Sequence, residues 1–326
     1  MKVVVCNAFG PPENLVVEEQ ADPTAGPGQV LVEVKASAVT FPDTLMIEDK
    51  YQYKPKPPFV PGGEVAGLIV AVGEGVTDRK VGDRVVTGLR QTGGFAQYAV
   101  APAAASRVLP DNVGFAESTG LNYAYGTSLY GLKYRGDLKA GETLLVLGAG
   151  GNVGLSGVEL GKLMGARVIA AASTEEKLDL CRERGADETI NYATENLKDR
   201  AKALTGGKGV DVIYDCVGGA YAESALRSIA WEGRFLVIGF TAGIPSIPLN
   251  LTLLKSCQIV GVFYGAMTER NPALRDAISN ELIDLTASGK LNPHVSGRYP
   301  LERAGEALRS LMDRKAIGKI VIEPNA

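Results

Sequence analysis

The sequence predicts an α/β protein of two domains, a barrel-like β domain followed by a doubly wound parallel sheet. Three observations carry that expectation. At 326 residues the chain is long for one core. Its first part, to about Leu121, is a series of short strands punctuated by Gly and Pro, and from Gly141 strands begin to alternate with helices.

In order, MKVVVCNAF reads as a first strand. VLVEVKASAV, EVAGLIVAVG, KVGDRVV and FAQYAVA follow at the close spacing of a compact barrel-like unit. TLLVLG, a helix, ARVIAAAS, a helix through Cys181, ETINY, a helix near Leu197 to Leu204, VDVIYD, a helix through Leu226 and GRFLVIGF then alternate as buried strands and their covering helices. From about Met267 come a helix (LRDAISNELIDLTASGK), a loop, a second helix (LERAGEALRSLMDR) and a last strand, GKIVIE. That strand either closes the parallel sheet or returns to the first domain, and the return is preferred.

Composition excludes several functions. A net charge of −3, with 45% hydrophobic and 22% charged residues, is that of a soluble globular enzyme and not of a nucleic-acid binder, which needs a basic face. No apolar run reaches the roughly 18 residues that a membrane span requires. The four cysteines, Cys6, Cys181, Cys216 and Cys257, lie far apart with no CxxC pair, so reduced buried thiols in a cytoplasmic protein are expected.

The richest stretch is LLVLGAGGNVGLSGVELGKLMGARVIAAAS, whose turn carries glycines at 148, 150, 151 and 154. A tight turn leaves the strand, Gly151 lets the backbone approach a pyrophosphate, Gly154 lets the helix lie close, and the helix amino end faces the anion. At the end of the next strand an acidic residue would bind the ribose hydroxyls of NAD, but Ala170-Ala171-Ala172-Ser173 stands there and no carboxylate precedes Glu175. Ser173, Lys177 one turn on and Tyr192 at the end of the neighbouring strand offer a corner for a 2′-phosphate, so the expected cofactor is NADPH. The competing reading turns Glu175 or Glu176 back to the ribose and leaves Lys177 a solvated lysine.

These features in this order resemble the medium-chain dehydrogenase/reductase superfamily, and within it the zinc-free quinone oxidoreductase, or zeta-crystallin-like, branch. The likeness runs through FGPPENLVVEE, PGQVLVEVKASAV, PFVPGGEVAGLIVAVGEGV, GGFAQYAV, the glycine turn, ALTGGKGVDVIYDCVGG, GRFLVIGF and GRYPLERAGEAL. It implies a GroES-like β-barrel-type catalytic domain made of residues 1–121 and 267–326, around a Rossmann NADPH-binding domain of residues 122–266. It implies further that Gly150, Gly151, Asn152 and Val153 face the pyrophosphate and that Ser173, Lys177 and Tyr192 meet the 2′-phosphate. Gly219, Gly239, Phe240, Thr241, Phe263 and Tyr264 match segments that line the adenosine and nicotinamide halves, and Tyr51 matches a tyrosine near the nicotinamide.

Zinc alcohol dehydrogenases of the superfamily take catalytic ligands from a Cys after the second strand and a His before a glutamate. The matching positions here are Thr40 and Gly63, and the one histidine, His294, is distant in sequence, so no metal is expected. Thr40 stands where relatives commonly have Asn, and its hydroxyl can still donate. Leu45 replaces a tyrosine found beside the substrate in some members; with Phe41, Met46 and Tyr51 it suggests an apolar acceptor. Asn152 replaces the usual glycine, so either the turn tolerates a side chain or the asparagine takes φ > 0.

The implied function is an NADPH:quinone reductase or alkenal/enone reductase, with Thr40 and Tyr51 on its catalytic side. Hydride delivered to an electron-poor carbon leaves an anion that needs hydrogen-bond donors and a proton, not a Lewis acid. Two alternatives stand beside it: a 2-enoyl thioester (enoyl-CoA type) reductase, with Lys50, Lys54 and Lys56 as a basic entrance, and a non-catalytic NADPH-binding zeta-crystallin-like protein. SCQIVGVFYG, residues 256–265, matches a segment that pairs across a twofold axis, so a homodimer is expected.

Overall fold

The computed structural model describes residues 1–89 and 92–325. They form two compact units, Met1–Asn122 with Ser279–Ala326, and Tyr123–Ile278.

The inserted unit is built on a six-stranded, wholly parallel sheet. Its spatial order is Glu188–Asn191, Arg167–Ala172, Thr143–Leu147, Val210–Asp215, Ile229–Val237, Gln258–Gly261. Every residue of Thr143–Leu147 is buried; because alternate side chains point to opposite faces, both faces of the sheet are covered there. Leu145, Leu147, Ile169, Ile190, Ile213 and Phe235 share one core, in which truncating a leucine to alanine costs about 2–5 kcal/mol. Helices Asn152–Leu163, Glu175–Glu183, Leu197–Leu204 and Gly219–Leu226 each follow a strand. The strand order reverses between Thr143–Leu147 and Val210–Asp215, the kind of switch point at whose carboxyl ends open parallel sheets bind ligands.

The other unit holds a seven-stranded sheet, in order Val295–Tyr299, Lys319–Ile322, Gln29–Val39, Glu64–Val72, Arg84–Gly88 and Ser106–Val108, with Tyr98–Pro102 also paired to Gln29–Val39. The closing strand GKIVIE does return here: Ile320 lies opposite Val39 and Ile322 opposite Ser37, antiparallel. Lys2–Val5 pairs with Val16–Glu19 in a separate two-stranded ribbon.

Three local features differ from the sequence expectation. The loop before LERAGEAL contains the strand Val295–Tyr299, whose pairing register shifts between Val295 and Gly297. Residues 121–135 are helical although rich in Tyr and Gly, which are weak helix formers. The second division between units falls at Ile278/Ser279, inside helix Pro272–Ala287, and not at 266/267; helical periodicity runs straight through it and leaves no local mark.

Candidate functional site

The glycine turn begins where Gly148 leaves the strand at φ +68°, in the left-handed region that suits glycine. The Gly151 N–H donates to the Gly148 carbonyl at 3.1 Å, and the helix starts at Asn152. A Cβ on Gly154 would stand 2.1 Å from the Gly148 carbonyl oxygen, so the first helical turn sits directly on the loop backbone. A Cβ on Gly150 would stand 2.5 Å from Cβ of Lys177 and 2.7 Å from its Cγ: the lysine stem lies across Gly150. On Gly151 a Cβ would meet only the Gly148 oxygen, at 3.6 Å. Gly151 supplies no side-chain cap, so the N–H groups of Asn152, Val153 and the rest of the first turn are not met by a capping side chain at the positive end of the helix dipole. Asn152 is not among the left-handed residues; it is the first residue of the helix, and the turn tolerates its side chain.

The neighbouring strand end gathers the other polar groups. The Tyr192 N–H donates to the Ala172 carbonyl at 3.1 Å, which sets Tyr192 beside Ser173. The Tyr192 ring packs on Tyr221 with centroids 4.6 Å apart. Thr174 caps the following helix, its hydroxyl oxygen accepting the Lys177 N–H at 3.4 Å, and this first turn carries the lysine back over Gly150. Glu175 is committed elsewhere: its carboxylate accepts from Asn191 Nδ2 at 2.8 Å and meets Arg182 at 3.4 Å. The Asn191 amide first, then Arg182, hold that carboxyl below its usual range. Turning Glu175 back to a ribose would break both contacts.

A second glycine turn follows Val210–Asp215. The buried Asp215 Oδ1 accepts the Val217 and Gly218 N–H groups at 2.8 and 2.9 Å. Burial pushes this carboxyl up, and those two bonds oppose the rise. Gly219, at φ +54°, donates its N–H to the Gly243 carbonyl at 2.7 Å; the Ala242 N–H reaches Val217 at 2.8 Å, and the Thr241 hydroxyl reaches the Cys216 carbonyl at 3.2 Å. Gly219, Gly239, Phe240 and Thr241 thus belong to two interlocked loops. Phe240 and Phe263 present their rings to solvent, 44% and 61% exposed. Tyr264 does not: its buried ring occupies the space left by Gly126, where a Cβ would stand 2.6 Å from the phenol oxygen.

The two residues expected on the catalytic side, Thr40 and Tyr51, lie in the other unit. Thr40 caps helix Phe41–Ile47, and the buried Asp43 answers it: Asp43 Oδ2 accepts the Thr40 N–H at 2.8 Å and the Thr40 hydroxyl at 2.6 Å, while Oδ1 accepts the Gly62 N–H at 3.0 Å. Burial, opposed by these bonds, pushes Asp43 up to about 6. The Thr40 hydroxyl therefore donates to Asp43 when the latter is ionised and then offers lone pairs to other groups; when Asp43 is protonated, the hydroxyl proton is released to donate elsewhere. Half-buried Tyr51 is raised by burial and then by the charge of Asp43, so it stands in the field of that carboxylate. Asp43 escaped the sequence reading, although Thr-Phe-Pro-Asp has the spacing of a capping box. Phe41 and Leu45 are half-buried, whereas Met46 is wholly inside and belongs to the core. Lys50 pairs with Glu48 at 2.9 Å and Lys54 with Asp49 at 3.0 Å, so that loop is less basic than its lysines imply. Among the described residues no cluster of three or more His, Cys, Asp or Glu side chains could hold a metal ion.

Comparison with known proteins gives a consistent picture. Residues 152–280 match the zinc-binding dehydrogenase family model and residues 26–111 that of the alcohol dehydrogenase GroES-like domain. The chain is 40% identical over 325 residues to the quinone oxidoreductase-like protein 2 homolog of Nematostella vectensis, covering 98% of this chain and 88% of that protein. It is 32% identical to human quinone oxidoreductase, covering 99% and 97%. Among solved structures, Escherichia coli quinone oxidoreductase complexed with NADPH superposes with a TM-score of 0.92 at 29% identity, covering 99% of this chain and 100% of that one. A mycobacterial protein complexed with NADPH gives 0.90 at 32% identity, covering 99% and 100%.

Proposed function

Because the chain belongs to the zinc-free quinone oxidoreductase branch of the medium-chain dehydrogenase/reductase superfamily, we propose that it is an NADPH-dependent reductase of quinones or of the activated double bonds of α,β-unsaturated carbonyl compounds. The observation that carries the cofactor part is the Lys177 stem laid across Gly150, beside a helix amino end without a side-chain cap and a strand end without a carboxylate. The residues fit NADPH: Gly150, Gly151, Asn152 and Val153 would hold the pyrophosphate, and Ser173, Lys177 and Tyr192 the 2′-phosphate. The interlocked loops of Gly219, Gly239, Phe240 and Thr241, with Phe263, would flank the rest of the dinucleotide, and Tyr264 would support them from beneath. Bound NADPH supplies hydride to the acceptor. Thr40 and Tyr51 then serve the acceptor's developing charge, in a site whose matching zinc-ligand positions, Thr40 and Gly63, offer neither thiolate nor imidazole.

Steady-state NADPH oxidation with a quinone, an enone and an enoyl-CoA, each repeated with NADH, tests the proposal. Turnover of quinone or enone with a clear preference for NADPH is expected. A strong preference for enoyl-CoA would favour the thioester reading, which the carboxylate partners of Lys50 and Lys54 weaken. Tight NADPH binding without turnover of any acceptor would make the protein a non-catalytic binder.

We infer a homodimer as well. Gln258–Gly261 is the edge strand of the parallel sheet, and exposed Leu249, Leu253 and Leu254 precede it, at 74%, 80% and 64%. A sizing column returning the monomer mass would overturn this. All four cysteines are free and three are buried, with Cys181 pushed up to about 12 by burial, which fits thiols kept reduced in a cytoplasm.

A further inference from the structure

The product of hydride transfer to a quinone or an enone is an anion, and the structure points to where its proton comes from. Asp43 is fully buried, and among the described residues the one side chain that donates to it is the half-buried Thr40 hydroxyl, 2.6 Å away; its other partners are the backbone N–H groups of Thr40 and Gly62. Among the described residues, Thr40 is therefore the one side-chain hydrogen-bonded route out from this buried carboxyl. Resting on the reductase reading above, we propose that Asp43 is the proton reservoir of the reaction and that the Thr40 hydroxyl relays its proton to the acceptor's anionic oxygen.

The balance is complete. Hydride from bound NADPH, a proton with two electrons, would leave the acceptor's oxygen anionic; that oxygen would take the Thr40 hydroxyl proton as the Thr40 oxygen takes the Asp43 carboxyl proton. The products are hydroquinone, or an enol that ketonises in water, and an Asp43 carboxylate. That carboxylate is left with three donors already aimed at it, so no reorganisation is needed at the moment of transfer. Once the product leaves, the Thr40 oxygen takes a proton from solvent as its own proton passes to Asp43, which restores the acid and reverses the Thr40 bond. A purely structural capping carboxylate would sit low and ionised; this one is raised by burial into the range where an acid is useful. Tyr51 is the titratable neighbour coupled to Asp43, and its phenol, itself raised, is neutral throughout that range.

The test uses two acceptors: an enone, whose product anion is strongly basic, and a quinone with electron-withdrawing substituents, whose product anion hardly needs a proton. In the parent protein kcat/KM for the enone should fall about tenfold per pH unit above an inflection near 6, while the quinone profile stays flat. Asp43→Asn, whose amide oxygen keeps an acceptor for one of the two backbone N–H groups, should abolish the inflection and lower enone turnover at pH 5 by about 10²-fold or more. If that variant does not fold, Thr40→Val should remove the inflection and Thr40→Ser keep it. Independently of turnover, the side-chain carboxyl carbon of Asp43, identified by its loss in Asp43→Asn, should titrate near 6 in the free protein. An inflection that survives in Asp43→Asn or Thr40→Val, or one of equal size with the quinone, would overturn the relay and leave the reductase reading standing. Failure of NADPH to reduce either acceptor would remove the reading on which it rests.

Discussion

The inserted unit contains two strand-to-helix turns of similar composition, GAGGNVG after Thr143–Leu147 and DCVGG after Val210–Asp215, whose backbone donors are used differently. In the second turn the carboxylate of Asp215 already occupies the N–H groups of Val217 and Gly218, and the loop at 241–243 closes over the outside. Neither helix has a side-chain cap from its N-cap residue, but in the first turn Gly151 leaves its outer face open and a lysine stem lies alongside. Glycine content does not distinguish them. What does is how the loop N–H groups before each helix are used: in the second turn a buried carboxylate claims those of Val217 and Gly218, whereas in the first the Gly151 N–H turns to the Gly148 carbonyl.

The comparison can be broken or sharpened by substitution. The largest effect is expected for Gly154→Val, whose Cβ would lie 2.1 Å from the Gly148 oxygen; a loss of about 4 kcal/mol or more in urea unfolding is expected, and a stable variant with parental NADPH affinity would show that the turn does not need this close approach. Asp215→Ala leaves two buried N–H groups without an acceptor, so about 2–4 kcal/mol of stability should go, with a smaller change in NADPH affinity. Were NADPH binding lost instead without a change in stability, Asp215 would be a cofactor ligand and the contrast between the turns would fail. Gly151→Ala should leave stability within about 0.5 kcal/mol and weaken NADPH and NADH alike by about 30-fold, read by cofactor fluorescence titration. Lys177→Ala should weaken NADPH about tenfold and NADH by less than about twofold; equal losses would move the lysine from the 2′-phosphate to the pyrophosphate.

The smallest expected effect is one of pH. The folded-state pKa of Asp215 is raised, so its contribution is fully present below the unfolded carboxylate value and is lost as pH rises through the folded one. The parent should therefore lose stability relative to Asp215→Asn as pH climbs through that window, and paired unfolding curves at several pH values would detect it. A constant difference would mean that Asp215 is ionised throughout.

Why some of this was legible in the sequence and some was not is itself physical. The glycine turn and the alternating strands were readable because tight backbone approach and burial on two faces impose residue types at short spacing. Lys177 could be placed near the turn from its position one turn into the next helix; that its stem lies over Gly150 needed the fold. Asp43 and Asp215, two of the buried carboxylates, were not readable as such. Asp215 looks like any strand-end acid until its N–H partners are seen, and Asp43 reaches Gly62 across 19 residues of sequence. Met46 and Tyr264, apolar or aromatic beside site residues, turn inward into packed cores, which adjacency in sequence cannot reveal. The strand Val295–Tyr299 is stabilised by a distant parallel partner, not by its own alternation.

The position of Lys319–Ile322 within its sheet has a consequence for biosynthesis. This strand lies between Val295–Tyr299 and Gln29–Val39, so a nascent chain emerging in order displays the hydrogen-bonding edge at Ser37–Val39 through the synthesis of nearly three hundred further residues. The inserted unit is contiguous and can be complete by the time Ile278 is translated. On the ribosome the nucleotide half should mature first, while the half that encloses it in sequence waits, edge exposed, for its final ladder. A chaperone that shields unpaired strand edges would matter most during that interval.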